Sequence, residues 1–293
     1  MEIKNVIICG LGALGLTYAN KLVNKCNLKI LANSERIAKY ISTPPIFNDK
    51  ELFLDYITPA EKFDADLIII TTKSTGLDSA IEYIKNFVTE KTLIFSLVNG
   101  ISSEELIAAS LKKGTIIRSF FIGHSAIRTQ NKTTQDGVGK IVLEPNKPLE
   151  NFFTSNNIDY EISKDIIYSQ WVKLGVNIIL NEPSAIYEMT VGEMKKQQDY
   201  SLLAQNLIKE VKEVALKLGI KGIENFEKDV FDSVNLVSDS GTTSMYQDIM
   251  AKRKTEIEIF SGEIIKLGKK LNINTPFNQK IYDMIIEKER SFL

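Results

Sequence analysis

Short apolar runs and helical stretches alternate through the first half of the chain. The apolar runs cover residues 3–9, 28–32, 66–72, 92–96 and 115–119, and the first two precede helical spacing over 14–25 and 35–41. Continuous apolar runs of this length are typical of strands covered on both faces. Their alternation with helices predicts a parallel sheet with crossover helices. The turn-rich segment 130–139, followed by an apolar run at 140–143, predicts a hairpin-type addition to this sheet.

The pattern changes near residue 163, where long helical periods replace strand signals. Helices are predicted over 164–181, 190–218, 225–233, 244–270 and 276–289, and Pro183 and Pro276 interrupt the pattern. Ser102 with Glu105 and Ser244 with Gln247 have the spacing of capping boxes that begin helices. We therefore expect an α/β domain over 1–163 and an all-α domain over 164–293.

The composition excludes several classes of function. Thirty-six basic and 37 acidic residues leave a net charge of -1, so no global field favours nucleic acid or an anionic membrane, and a small-molecule partner is expected. The sequence has no membrane-spanning run or signal peptide, which favours a cytoplasmic location. Cys9, Cys26 and His124 are the complete set of cysteines and histidines. This inventory excludes a disulfide framework, a structural zinc site and a Ser-His-Asp triad.

A glycine-rich loop follows the first predicted strand directly. It consists of Gly10, Leu11, Gly12, Ala13, Leu14 and Gly15, and it opens a helical stretch. In a strand-loop-helix context the three glycines permit a tight turn, close approach of a pyrophosphate, and close packing of helix on strand. The loop therefore predicts a Rossmann-type dinucleotide site. A tight turn in an unrelated α/β protein and an S-adenosylmethionine site are the alternatives.

The end of the second predicted strand bears on the choice of cofactor. NAD enzymes usually carry a carboxylate there to bind the ribose hydroxyls, whereas this chain has Asn33. Arg36 and Lys39 follow within the next turn and suit a 2′-phosphate, although Glu35 directly precedes Arg36. These residues favour NADP over NAD.

A column of polar residues interrupts an apolar helical stretch in the second half. Lys173, Asn177 and Asn181 are spaced by four residues, so they line one narrow stripe of an α-helix whose other faces are apolar. Buried polar groups need partners. The three side chains therefore either converge on one ligand or are satisfied by the protein itself.

Two further candidates follow apolar strands in the first half. Lys73 ends the third predicted strand, and Asn99 with Gly100 follows the fourth. Ligands of open α/β sheets bind at the carboxyl ends of the strands, which is where these residues lie. A solvated loop and a simple Asn-Gly turn are the alternatives.

Taken together, these motifs resemble those of the ketopantoate reductase (2-dehydropantoate 2-reductase) family along almost the whole chain. The glycine loop is shared with many dehydrogenases, but the polar column combined with two later segments is close to diagnostic. Those segments contain Ser244, Met245, Gln247 and Asp248, and then Thr255, Glu256 and Ile257.

The resemblance implies NADPH-dependent reduction of ketopantoate to pantoate, on the route to pantothenate and coenzyme A. It implies that Lys173 is the proton donor and that Asn99, Asn177, Asn181 and Ser244 bind substrate. It also implies that Glu256 lies beside substrate and nicotinamide, and that Lys73, Asn99 and the backbone of 124–126, including Ala126, contact the cofactor. From the residues alone, Glu256 is indistinguishable from Glu258 in the same charged stretch.

Several positions depart from the family pattern. Asn33 stands where relatives carry an arginine, which leaves Arg36 as its substitute. Glu182 and Val191 replace neutral and amide residues near the polar column, and Gly76 lacks an expected amide. These departures put the identity of the substrate in doubt.

Three other functions stay open on the sequence. The first is a related NAD(P)-dependent reductase of another 2-oxo acid or a 3-hydroxy acid dehydrogenase. The second is a non-catalytic nicotinamide-binding sensor, and the third is a methyltransferase. The sequence also leaves a monomer and a homodimer open.

Overall fold

The computed structural model describes residues 2–123, 126–135, 137 and 139–292. The chain divides into two compact units, the first ending at Ile166 and the second beginning at Ile167. We describe each unit by itself, and the domain boundary after residue 163 stays a prediction.

The first unit contains the strands and five helices. The strands are β1 Asn5–Cys9, β2 Asn27–Leu31, β3 Ile46–Phe47, β4 Lys50–Glu51, β5 Tyr56–Ile57, β6 Leu67–Ile70, β7 Leu93–Ser96, β8 Thr115–Ile117, β9 Ser119–Gly123, β10 Ala126–Thr129, β11 Lys132–Gln135, β12 Gly139–Leu143 and β13 Tyr160–Ile162. The helices are α1 Ala13–Leu22, α2 Ser34–Ser42, α3 Leu77–Ile84, α4 Ser103–Ser110 and α5 Lys147–Ser155.

The main sheet is parallel, in the order β5-β2-β1-β6-β7-β8. Its central strands alternate their side chains between two apolar cores. Val6 and Ile8 of β1 pack in one core, and Ile7 and Cys9 pack in the other. Because both faces are covered, the strands read as continuous apolar runs, as the sequence predicted.

A hairpin forms over 126–135, earlier in the chain than predicted, and the prediction that the turn-rich segment and the run at 140–143 extend the main sheet is wrong. β10 and β11 join β3 and β4 in a separate four-stranded sheet. β12 lies between β9 and β13 in a third sheet. The apolar run predicted as one strand over 115–119 divides at Arg118, whose amide donates to the Glu144 carboxylate, and β9 continues into the third sheet.

Helices make up the second unit. They are α6 Ile166–Val176, which begins at the boundary, α7 Glu182–Tyr187, α8 Val191–Lys195, α9 Tyr200–Lys217, α10 Phe226–Asn235, α11 Ser244–Met250, α12 Ser261–Leu271 and α13 Pro276–Arg290. The long helix predicted over 190–218 is interrupted after Lys195. The one predicted over 244–270 is interrupted after Met250, where Lys252 takes a positive φ of 52°. The predicted fold class, a Rossmann-type α/β region followed by a helical region, is confirmed.

Among the described residues, no helix combines the length and the apolar character needed to span a membrane.

Candidate active site

The glycine loop connects β1 to α1, and packing fixes two of its three glycines. Gly10 has a φ of 106°, and a Cβ there would lie 2.7 Å from the amide nitrogen of Thr72. A Cβ at Gly15 would lie 1.9 Å from the carbonyl oxygen of Gly10. Both positions therefore require glycine for the fold itself. The Thr71 hydroxyl donates to the Gly10 carbonyl at 2.6 Å and holds the loop against β6.

The fold does not require a glycine at position 12. A Cβ at Gly12 would meet only the Thr71 carbonyl oxygen, at 3.9 Å, and the φ of Gly12 is an ordinary -72°. Gly12 is also the N-cap residue of α1, and the first turn of this helix contains no acidic residue. The N-terminus of this helix therefore suits a phosphate, as helix N-termini do in dinucleotide sites. A dinucleotide therefore fits the loop.

Lys73 and Asn99 extend from the same edge of the main sheet as the glycine loop. Cys9, Ile70 and Ser96 are aligned across β1, β6 and β7, and the loop, Lys73 and Asn99 follow these strand ends. Thr72, which sequence reasoning did not select, lies between β6 and Lys73. Its hydroxyl oxygen is buried without a hydrogen-bond partner among the described residues, which marks this edge as a place for a polar ligand.

Asn33 has a structural role that sequence reasoning missed. Its side-chain oxygen accepts a hydrogen bond from the Arg36 amide at 2.8 Å and caps α2. The order Asn33, Ser34, Glu35 at the end of a strand was the available signal. Arg36 lies exposed in the first turn of α2.

The backbone of 124–126 was expected to contact the cofactor. His124 and Ser125 lie outside the described residues, and Ala126 begins β10.

The polar column of the second unit does not lie on one continuous α-helix. α6 ends at Val176, and residues Asn177–Asn181 form a π-helix before α7 begins. Two side chains stabilise this rare geometry. The Tyr200 hydroxyl donates to the Ile179 carbonyl at 2.9 Å, and the Ser184 hydroxyl donates to the Asn181 carbonyl at 3.0 Å. Single π turns within helices occur frequently at functional sites.

The asparagines of the column contact each other and Ser244. The Asn181 amide nitrogen lies 3.5 Å from the Asn177 side-chain oxygen and 3.5 Å from the Ser244 hydroxyl. Asn177 is only 2% exposed, and its amide nitrogen has no hydrogen-bond partner among the described residues. Leaving such a donor unpaired costs about 1–3 kcal/mol, so it needs an explanation beyond packing. A ligand with an oxygen acceptor supplies one.

Lys173 precedes this cluster by one turn. Burial lowers the pKa of its ammonium group to about 8. Within the part of the chain that the structure describes, no side chain or carbonyl accepts a hydrogen bond from it. Burial is the cause of this shift, because it disfavours the charged form.

Ser244 is the first residue of α11 and not its cap, so the predicted Ser244 capping box is wrong. Thr243 caps the helix instead, because its hydroxyl accepts from the Tyr246 amide at 3.2 Å. This arrangement directs the Ser244 hydroxyl toward Asn181. The capping box predicted at Ser102 is also wrong, since its side chain makes no capping bond and Glu105 pairs with Arg118.

Glu256 lies in the turn between α11 and α12 and is half-buried. The preceding segment is held by Asp248, which pairs with Arg253 at 2.9 Å, and by Glu289, which accepts from the Thr255 amide at 2.6 Å. Glu258 is exposed and accepts from the Tyr282 hydroxyl at 2.8 Å. The two glutamates, which are alike in the sequence, therefore differ in the structure.

Comparison with known proteins identifies the family. Residues 6–148 match the family described as ketopantoate reductase PanE/ApbA, and residues 165–289 match its C-terminal region. The chain belongs to the ketopantoate reductase family. It is thus an oxidoreductase of a nicotinamide-dependent family.

Individual relatives of this ketopantoate reductase family member are distant but nearly full-length. The 2-dehydropantoate 2-reductase of Aquifex aeolicus is 27% identical over 303 positions, covering 98% of this chain and 97% of that protein. Among solved structures, a D-mandelate dehydrogenase with NADH and anilino(oxo)acetate has a TM-score of 0.86 at 22% identity, covering 98% and 99% of the two chains. A PanE/ApbA family ketopantoate reductase from Ralstonia eutropha JMP134 has a TM-score of 0.82 at 20% identity, with the same coverage. The structural likenesses show a shared fold.

The departures from the ketopantoate reductase pattern have structural explanations. Val191 begins α8 and is buried, and Gly76 packs on Thr72, where a Cβ would lie 3.3 Å from the Thr72 Cβ. Glu182 is fully buried directly after the π-helix, and its carboxyl group faces Ser261. It accepts from the Ser261 amide at 2.9 Å, and its second oxygen lies 2.6 Å from the Ser261 hydroxyl.

Burial favours the protonated form of Glu182. Asn278 donates through its amide nitrogen to Glu210 at 2.7 Å and to the Leu207 carbonyl at 3.3 Å, which orients its oxygen toward the Ser261 hydroxyl at 3.0 Å. The Ser261 hydroxyl has one hydrogen and two acceptors, the Glu182 oxygen at 2.6 Å and the Asn278 oxygen at 3.0 Å. Burial, opposed by the bonds from Ser261, raises the pKa of Glu182 to about 8.

The loop glycines give a first prediction. Gly15→Ala forces an overlap with Gly10 and should destabilise the protein by about 1–3 kcal/mol. Gly12→Ala should leave the melting temperature within about 2 °C of wild type, because its Cβ has room, yet weaken dinucleotide binding at least about tenfold by blocking the phosphate. Calorimetric titration with NADP⁺ and NAD⁺ measures the affinity. Full affinity in Gly12→Ala would contradict the assignment of the loop.

The protonated Glu182 gives a second prediction. Since its native pKa lies above the ordinary value, the folded state holds a proton that the unfolded state releases, and stability falls as pH rises from about 4.5 to about 8. The loss is on the order of 3–5 kcal/mol at 1.36 kcal/mol per pKa unit. Glu182→Gln reproduces one acceptor and one donor, so it should be nearly neutral at pH 5 and more stable than wild type at pH 9. Glu258→Gln, an exposed control, should not change this difference. Destabilisation by Glu182→Gln at both pH values would show that the carboxyl is ionised.

Proposed function

We propose that this chain reduces ketopantoate (2-dehydropantoate) to pantoate with NADPH, on the route to pantothenate and coenzyme A, and that Lys173 donates the proton. The observation that carries the proposal is the half-buried Lys173, followed on the same helical segment by the buried amide nitrogen of Asn177, which is unpaired among the described residues. Both are donors that lack an acceptor among the described residues. A 2-oxo acid brings acceptors for both, namely its ketone and carboxylate oxygens.

The amides and the hydroxyl suit the substrate for a second reason. Asn177, Asn181 and Ser244 can bind carboxylate and hydroxyl oxygens without adding charge. Ketopantoate carries a carboxylate, a ketone and a hydroxyl group. We assign the binding of the substrate to these three side chains and the ketone oxygen to Lys173.

Lys173 is suited to the chemical step by its pKa of about 8. When bound, the reduced nicotinamide would supply hydride to the ketone carbon. Negative charge then develops on the ketone oxygen, where the ammonium stabilises it and transfers a proton from Nζ. A donor whose pKa lies near the working pH is protonated before the step and releases its proton readily during it.

The remaining roles are assigned to the residues at the sheet edge and in the α11–α12 turn. Lys73, Asn99 and the backbone at Ala126 are proposed to contact the cofactor along with the glycine loop, and Asn99 also the substrate. Glu256 is proposed to lie beside nicotinamide and substrate. Arg36, in the absence of a carboxylate at position 33, supports NADPH over NADH, although one structurally similar D-mandelate dehydrogenase is bound to NADH.

A reductase of another 2-oxo acid is the second candidate. It is favoured by Val191, a buried apolar residue where an amide of the substrate site was expected. The decisive assay is oxidation of NADPH and of NADH with ketopantoate beside a panel of 2-oxo acids, including the acid that corresponds to mandelate. A far higher kcat/KM for another acid would show that ketopantoate is not the substrate. No turnover with any acid would contradict the proposal that this chain is a 2-oxo acid reductase.

Replacing Lys173 should slow the chemical step. Lys173→Ala is expected to lower kcat by about 10²- to 10⁴-fold, the usual contribution of a general acid. In wild type, kcat/KM should fall about tenfold per pH unit above about 8, because the free amine cannot donate. The Glu182→Gln variant should show the same fall of kcat/KM at alkaline pH, which assigns this fall to Lys173. A Lys173→Ala variant with wild-type kcat would rule out the assigned role.

Asn177 should show a conflict between stability and function. Asn177→Leu removes an unpaired buried donor with little change in volume, so it should raise the melting temperature or leave it unchanged. The same variant should raise KM for the 2-oxo acid at least about tenfold, the value of one lost hydrogen bond to a charged group, and leave KM for NADPH unchanged. A large drop in melting temperature would instead indicate that Asn177 stabilises the fold.

A further inference from the structure

Arg128 lies on the covered face of the four-stranded sheet. In the strand register, Arg128 of β10 pairs with Thr133 of β11, and Thr133 pairs with Phe47 of β3. Laterally paired residues direct their side chains to the same face. Phe47 and Thr133 are buried, and Tyr40 packs against the same core as Phe47. The side chain of Arg128 is therefore directed toward the protein at an edge strand, and it is itself half-buried.

Arg36 and Tyr40 of α2 lie near Arg128. Arg36 and Tyr40 are four residues apart and share one side of α2, and the Tyr40 ring stacks on Tyr56 with 5.7 Å between centroids. Arg36 and Arg128 lie close enough for their charges to act on the Tyr40 hydroxyl and on each other. Burial, and then the charge of Arg36, lower the pKa of Arg128.

Among the described residues, no carboxylate oxygen lies within ion-pair distance of Arg36 or Arg128. Arg118 and Arg253, by contrast, pair with Glu105 and Asp248. The Nε of Arg128 donates to the Gln130 carbonyl at 2.9 Å, which orients the group. Two neighbouring positive charges without an acid are unfavourable unless an anion binds between them.

The position of the pair indicates which anion. Arg36 lies in the first turn of α2, just after β2, where Rossmann-type domains bind the adenosine ribose of the cofactor. Guanidinium groups bind phosphate oxygens in a bidentate manner. We propose that Arg128, acting with Arg36, binds the 2′-phosphate of NADPH and sets the preference for this cofactor. The proposal rests on the NADPH part of the proposed function.

The test compares ligands with and without the 2′-phosphate. Calorimetry measures the binding of NADP⁺, NAD⁺, adenosine 2′,5′-bisphosphate and 5′-AMP to wild type and to Arg128→Ala. The variant should bind NADP⁺ and the bisphosphate about 10- to 100-fold more weakly, the effect of losing a charge-assisted hydrogen bond. Affinity for NAD⁺ and 5′-AMP should stay within twofold. Arg128→Gln, which keeps the side-chain stem, should behave likewise if Arg128→Ala folds poorly.

Lys132→Ala is the matched control in the same hairpin. Lys132 is exposed and pairs with Asp49 at 2.6 Å, so its removal deletes one positive charge from the hairpin without touching the site and should leave all four affinities unchanged. Equal weakening of NADP⁺ and NAD⁺ in Arg128→Ala, no weakening of either, or no preference of wild type for 2′-phosphorylated ligands would overturn the proposal. Selective NADP⁺ binding by a wild type that reduces no 2-oxo acid would defeat the proposed reaction and leave the role of Arg128 intact.

Discussion

Desolvation of polar groups inside the helical unit is the constraint on which the candidate site depends. A lysine and two asparagines interrupt an apolar segment, and burial removes the water that would otherwise satisfy them. The backbone is satisfied by Tyr200 and Ser184, which bind carbonyls of the π-helix. The Lys173 and Asn177 donors are not satisfied by the described residues. The segment thus keeps its geometry without a ligand and retains donors for one.

The junction after the π-helix uses a neutral acid where an ion pair would disturb the site. Glu182 begins α7 and binds the first residue of α12, so it links the segment that carries Asn181 to a second helix. Because its carboxyl holds a proton, it makes this link without adding negative charge to the helical segment of Lys173. A charged glutamate in the same place would require a cation or several more donors.

The sequence predicted those features whose signal is local. The glycine loop and the apolar runs of β1, β2, β6 and β7 could be read from periodicity, and the fold class followed from their alternation. The sheet of the hairpin could not, because its partner β3 is formed by residues more distant in the chain. The π-helix was missed since its support comes from Tyr200, a residue of another helix. Thr243, next to Ser244, shows how two adjacent hydroxyl residues make a cap ambiguous by one position.

Both units contain cations that have no acidic partner among the described residues. With a net charge of -1, the chain as a whole does not attract anions. Lys173 in one unit, and Arg36 with Arg128 in the other, nevertheless lack acidic partners among the described residues. A 2-oxo acid and a phosphorylated dinucleotide are both anions, and local positive charge held in partly desolvated places binds them more strongly than exposed charge does. Under the proposed function, selectivity for both ligands comes from a few cations without acidic partners, of which Lys173 and Arg128 are half-buried, and the remaining surface charges stay balanced.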